Sequence, residues 1–274
     1  MSSVSTPEGR AADPGAPGQL LLLLDPAARR ADGESVRIAR DVLAGGADVK
    51  LALPESPSEL DRMLAHRGRR RPVVIGSDLA LQRVLQALHR QRDLGSDPLG
   101  VVPVGRPEAV ASARALGVPA QPVAAARAVL CGSARKLDLL VDDGGGVVLG
   151  EVRVHGDWTG RPGALRSLWA KLAAAEQGTS PVPDAHRLRI EADGRLLADL
   201  PHAVHRLQVS LPAGAGEMEL RLHTPEGPRT LRAARLAVAG RGFGYEADGC
   251  RVGPVRTRVW TLHPGVWQLL VPAA

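Results

Sequence analysis

Four short apolar runs, most of them followed by a helical pattern, limit this chain's fold more than any other feature. Residues 19–24 (QLLLLL) are apolar almost without interruption, which suits a strand buried on both faces. Residues 72–76 (PVVIG) and 99–102 (LGVV) read the same way, and 48–53 (DVKLAL) is a weaker version. Helical patterns occupy 34–43, 58–65, 79–90, 108–116 and 123–130. In the third of these, Leu81, Val84, Leu85 and Leu88 fall at i, i+3, i+4 and i+7. Ser58 reads as an N-cap. Strands that alternate with helices predict βαβ units and a parallel sheet. Right-handed crossovers then place helices on both of its faces.

From about Lys136 the pattern changes to short strands, at 137–141, 147–154, 188–192, 204–211, 218–223, 231–238, 255–262 and 266–271. Turn signals at Asp143-Gly144, Asp193-Gly194, Pro225-Glu226-Gly227 and Asp248-Gly249 separate them. A single helix is expected at 164–177. The predicted architecture is an N-terminal α/β domain with a parallel sheet and a C-terminal antiparallel β-sandwich domain. We place a disordered leader at 1–18, the α/β domain at 19–135 and the β-rich domain at 136–274, leaving open whether the final strands pack back toward the first domain. The cleft between two such domains is the default ligand site.

Composition removes several functions. Aromatic residues are 2% of the chain, and all of them, from Trp158 to Trp267, lie in the second half. Base-stacking platforms need interleaved aromatics, so no nucleic-acid partner is expected. Any adenine held by the first domain would rest on aliphatic or Arg surfaces. Two distant Cys exclude a disulfide scaffold and a Cys-rich zinc site. The net charge of +6 is carried by Arg, since only Lys50, Lys136 and Lys171 are lysines. That balance is compatible with anionic partners and equally with simple solubility. Residues 1–18 lack the charged and apolar regions of a secretory signal, and the run at 20–24 is too short to span a bilayer. The expected location is cytoplasmic, with peripheral attachment at a membrane surface left open.

Two segments carry more specific information. Val73-Val74-Ile75-Gly76-Ser77-Asp78-Leu79-Ala80-Leu81 is a strand, a turn and a helix. Pro98-Leu99-Gly100-Val101-Val102-Pro103-Val104-Gly105 is followed by Leu116-Gly117-Val118-Pro119. With the two-domain order, they resemble the diacylglycerol kinase-like lipid kinases, a family that includes sphingosine kinases and is related to NAD kinases. Leu24-Asp25-Pro26 stands where that family has a strand ending in Asn-Pro. Gly76-Ser77-Asp78-Leu79-Ala80-Leu81 stands for its Gly-Gly-Asp-Gly-Thr-Leu. Leu137-Asp138-Leu139 is similar to its entry into the β domain, and Asp248-Gly249-Cys250 to its Asp-Gly-Glu turn. The likeness runs from about Gln19 to the end of the chain. It implies ATP and Mg²⁺ as cofactors and phosphorylation of a diacylglycerol-type lipid hydroxyl. It also implies a catalytic role for Asp78 beside the metal–phosphate cluster, and a cofactor-binding role for Asp25, Gly76, Ser77, Asp78 and Gly105.

Glycines after a strand let backbone N–H groups approach phosphates, and the following helix N-terminus favours negative charge. This chain keeps Gly76 and Asp78 but replaces the neighbouring glycine by Leu79 and the hydroxyl by Ala80. No Asp stands at 213–216, where the family's β domain carries a general base, and the adjacent Glu217 fits only with a shifted register. Cys250 offers a soft thiol where Mg²⁺ wants hard oxygen. Each retained residue also has a plain structural reading: Asp78 as a helix N-cap, Asp25 as a strand-end turn, Gly105 as a turn. The basic run Arg67-Gly68-Arg69-Arg70-Arg71 reads first as a solvated loop, with anionic headgroups the functional alternative. His202 and His205 would point to opposite faces of a strand and make no metal pair. Three functions remain open: an ATP-dependent lipid kinase, impaired at its motifs; a non-catalytic nucleotide-, lipid- or protein-binding pseudokinase; and a small-molecule enzyme reusing the same cleft.

Overall fold

The computed structural model describes residues 18–155, 186–212 and 214–273. The helix expected at 164–177, the leader apart from Gly18, and two of the Trp residues fall outside them. Strands β1 (Gln19–Leu24), β2 (Asp48–Ala52), β3 (Arg71–Gly76) and β4 (Gly100–Pro103) form one parallel sheet in the order β2-β1-β3-β4. The five leucines of β1 are all buried, as a strand covered on both faces requires. Helix α3 (Pro57–Ala65) packs with α4 (Asp78–Arg90), and α2 (Gly33–Gly46) with α6 (Pro122–Cys131), giving the two helical layers. Ser56, not Ser58, caps α3 by accepting from the Glu59 N–H at 3.3 Å. A short helix α1 (Pro26–Ala31) follows β1 directly. The helix expected at 108–116 is instead a 3-10 turn, Pro107–Val110, and a short α5 (Ala111–Ala115).

The second half is antiparallel: β5 (Ser133–Asp142), β6 (Val147–Val148), β7 (Glu151–His155), β8 (His186–Ala192), β9 (Arg195–Ala198), β10 (Ala203–Val204), β11 (Arg206–Ser210), β12 (Met218–Thr224), β13 (Gly227–Ala233), β14 (Arg235–Ala247) and β15 (Cys250–Val271). The run at 231–238 is cut at Ala234, between β13, which pairs with β12, and β14, which pairs with β15. The two runs at the end are one strand, bulged between His263 and Trp267. Strand β14 divides the sheet into two branches: residues 236–240 pair with β8 and residues 244–247 pair with β7, on either side of a bulge. Val238, Phe243, Tyr245 and Trp260 belong to the core enclosed there, with Tyr245 edge-on to Trp260 at 5.1 Å between ring centroids. Asp193-Gly194 and Asp248-Gly249 have positive φ at both positions, as two-residue hairpin turns demand.

The end of β15 returns to the first domain. Leu99 donates to the Gln268 carbonyl at 2.8 Å, and Leu270 donates to the Leu99 carbonyl at 2.9 Å. Trp267 and Leu269–Val271 belong to the same apolar cluster as β1 and β3. No helix among the described residues is long and apolar enough to cross a membrane.

Candidate active site

Strand order reverses between β1 and β3, so a crevice opens beyond their carboxyl ends, where open α/β sheets bind ligands. Residues that the sequence singles out gather there. Asp25 follows β1, Gly76 ends β3, Ser77 and Asp78 start α4, and Gly105 follows β4. Asp25, Ser77, Asp78 and Gly105 line an interdomain cleft of about 950 Å3, closed on the far side by the β6–β7 and β14–β15 turns. Gly76 lies behind them. A Cβ on it would stand 2.3 Å from that of Asp25, so here the missing side chain admits Asp25 rather than a phosphate. Gly105 has φ +153°, a conformation that L side chains rarely adopt.

The carboxylates in this cleft are already bonded to the chain. Asp25 caps α1 by accepting from the Ala27 N–H at 2.9 Å, and its other oxygen accepts from the Ser77 hydroxyl at 2.8 Å and the Ser77 N–H at 3.4 Å. Ser77 is the N-cap of α4, accepting from Ala80 at 3.4 Å. Asp78 therefore does not cap its own helix, contrary to the simple structural reading. Its two oxygens accept from the Ser112 N–H at 2.6 Å and the Ala113 N–H at 3.0 Å, at the start of α5. A third carboxylate, Asp248 on the β14–β15 turn, accepts from Leu149 (2.6 Å), Gly150 (2.9 Å) and Glu151 (2.9 Å), and from the Gln82 side chain of α4 at 2.7 Å. Asp248 thus ties the two domains across the cleft. The sequence marks Asp248 as a turn residue in the stretch that resembles the Asp-Gly-Glu turn, without its partners, and Gln82 carries no signal at all.

Burial pushes the Asp78 carboxyl above its ordinary range, against the pull of the Ala113 and Ser112 N–H groups, and the nearby Asp248 charge adds to the rise. A raised carboxyl holds its proton longer in the folded state. Stability from this group is therefore greatest below the ordinary Asp value of about 3.9 and declines as pH rises through the folded value. We expect the stability of the wild type relative to Asp78→Asn, followed by urea unfolding from pH 4 to pH 7, to shrink as pH increases. A difference that grows with pH would contradict this.

Carboxylates outnumber cations in the cleft: Asp25, Asp78, Glu108, Glu151, Glu246 and Asp248 face Arg106 and Arg153. Arg153 is held by Glu151 through two bonds of 2.6 and 2.8 Å. Leu79 and Cys250 line the cleft without filling it, and Leu79 is 42% exposed. Glu217 is not among the lining residues, and the preceding Gly216 N–H donates to Asp138 at 3.0 Å. No three His, Cys, Asp or Glu side chains among the described residues are placed to hold a metal ion.

The basic run is not a solvated loop throughout. Arg67 is 8% exposed and pairs with both Asp93 and Asp97, and Arg70 pairs with Asp48 at 3.0 Å. These arginines hold α3, β2 and the 93–97 segment together, leaving Arg69 as the exposed remainder.

No protein family matches the chain by sequence, and no curated protein does. Solved structures do match. A diacylglycerol kinase from Bacillus anthracis str. Sterne superimposes with a TM-score of 0.68 at 12% identity, covering 92% of this chain and 96% of that one. A second structure from the same organism, assigned as a diacylglycerol kinase, gives 0.70 at 13% identity over 92% and 97% of the two chains.

Proposed function

From the diacylglycerol kinase-like fold that the chain carries, we propose that it is a non-catalytic member of this architecture, a binding module that keeps the interdomain cleft and has lost phosphoryl transfer. One observation carries the reading: backbone N–H groups of the cleft that could cradle phosphates donate to the chain's own carboxylates instead. Asp25 occupies the starts of α1 and α4, and Asp78 the start of α5. Phosphoryl transfer is mostly positioning and charge stabilisation, so a site that has given these donors to its own carboxylates has lost part of its catalytic means.

The donor set does not fit a magnesium-bound triphosphate. A phosphate set beside Asp25 with no metal between them would meet a like charge, costing about 4 kcal/mol for a unit pair at 4 Å near a protein surface. Arg106 is the one cleft cation without an ion pair among the described residues, and the cleft has no lysine. Leu79 and Ala80 replace the flexible glycine and the hydroxyl that the resemblance implies.

The test is phosphate transfer from labelled ATP to diacylglycerol in mixed micelles, with the Asp78→Ala variant alongside. No transfer above background is expected from either protein. Transfer by the wild type that Asp78→Ala abolishes would establish the alternative, an active lipid kinase.

A further inference from the structure

We propose that the interdomain cleft binds a small amine with an apolar body, an amphiphilic cation, where the fold would otherwise take a nucleotide; this rests on the non-catalytic reading above. The two walls of the cleft differ in chemistry. The first-domain wall is aliphatic and built from small residues, with Ala28 and Ala31 on α1 and Ala109 and Ala115 near α5. Leu79 sits among them, 42% exposed at the start of a helix whose other leucines at 81, 85 and 88 are buried. An open leucine in a concave, alanine-lined wall is apolar surface that a ligand can cover.

The facing wall is acidic. Glu151 and Glu246 come from β7 and β14, and Asp248 from the turn beside them. Arg153 is the only cation on that wall. It is bonded to Glu151 and lies 4.0 Å from Glu246, which Arg251, outside the cleft lining, also approaches at 3.8 Å. Glu108 at the opposite lip makes no ion pair or hydrogen bond with a described residue. The upward push of Asp248 on the Asp78 carboxyl reports the same negative field at the cleft floor. An anion entering here would meet six lining carboxylates, with Arg106 as the one cation not paired among the described residues. A cationic head would face Glu246 and Asp248 while its apolar body covered Leu79 and the alanines. At about 950 Å3 the cleft is within the range that encloses a small-molecule ligand.

The experiment is calorimetric titration of the full chain with octyltrimethylammonium below its micelle concentration. Octyl sulfate and tetramethylammonium serve as probes that lack the cationic head or the apolar body. One saturable site is expected for octyltrimethylammonium, with each control at least tenfold weaker. Leu79→Ser and Glu246→Gln should each weaken binding at least threefold, while Leu196→Ser, at an exposed leucine on β9 away from the cleft, should not. Both cleft variants alter solvent-accessible side chains, and matched thermal melts verify their folding. Equal or tighter binding of octyl sulfate, absence of binding, or indifference to both cleft variants would overturn the ligand class. None of those outcomes produces phosphate transfer, so failure of this inference is distinct from failure of the non-catalytic reading.

Discussion

Asp248→Ala is expected to lower the unfolding free energy by about 3–5 kcal/mol, because it strips acceptors from several donors at once. The Asp248 carboxylate takes three consecutive N–H groups, from Leu149 to Glu151, at 2.6–2.9 Å, and the Gln82 amide at 2.7 Å. These donors are partly buried, so water can restore only some of the lost bonds. Asp248→Asn should recover part of the loss, since its carbonyl oxygen can still accept while its amide nitrogen cannot. The damage should concentrate at the domain junction: faster amide exchange is expected at 149–151, with β1 and β3 unaffected until global unfolding. Urea unfolding and hydrogen exchange check both parts. A loss below about 1 kcal/mol would mean that water replaces the carboxylate fully.

Arg67→Ala is expected to cost about 3 kcal/mol, the lower end for removing one partner of a buried ion pair. The guanidinium is held between Asp93 and Asp97, and its loss leaves two carboxylates facing each other without a cation. Their partial exposure, 24% and 37%, keeps the cost from being larger. The hydrogen bond from Arg67 holds the Asp93 carboxyl below its ordinary range. A lowered carboxyl contributes stability above its unfolded value that is lost as pH falls, so the penalty of Arg67→Ala should shrink below about pH 4. Replacing Arg67, Asp93 and Asp97 together by Met, Asn and Asn should restore much of the loss. Urea unfolding of the single and triple variants measures this directly. A triple variant as unstable as the single one would refute the unpaired-charge explanation.

The α/β half was legible because its signals are local. The buried runs at β1 and β3 and the spacing of Leu81, Val84, Leu85 and Leu88 each specify one element without knowledge of the rest. The β-rich half was legible in kind but not in outline. Strands β9 and β10 are too short to carry a period. β14 and β15 are long strands whose bulges break the two-residue alternation, so each was seen only in fragments.

The site shows the same division. Asp25, Gly76, Ser77, Asp78 and Gly105 could be singled out because motif order survives in the sequence. Their bonds could not be foreseen. Ser77 takes the cap of α4, which frees Asp78 to reach backbone groups 34 and 35 residues away. Asp248 meets its donors about a hundred positions back along the chain. Arg67 looks like its neighbours in the basic run until Asp93 and Asp97 are placed beside it. Long-range charge partners leave no periodic trace.

In the proposed function, carboxylates of the chain itself stand where a nucleotide's phosphates would need donors. Calorimetric titration of the wild-type chain with ATP in the presence of Mg²⁺ tests it most directly. No saturable heat is expected up to millimolar ATP. A single saturable site in the micromolar range, lost in Asp78→Ala, would contradict it.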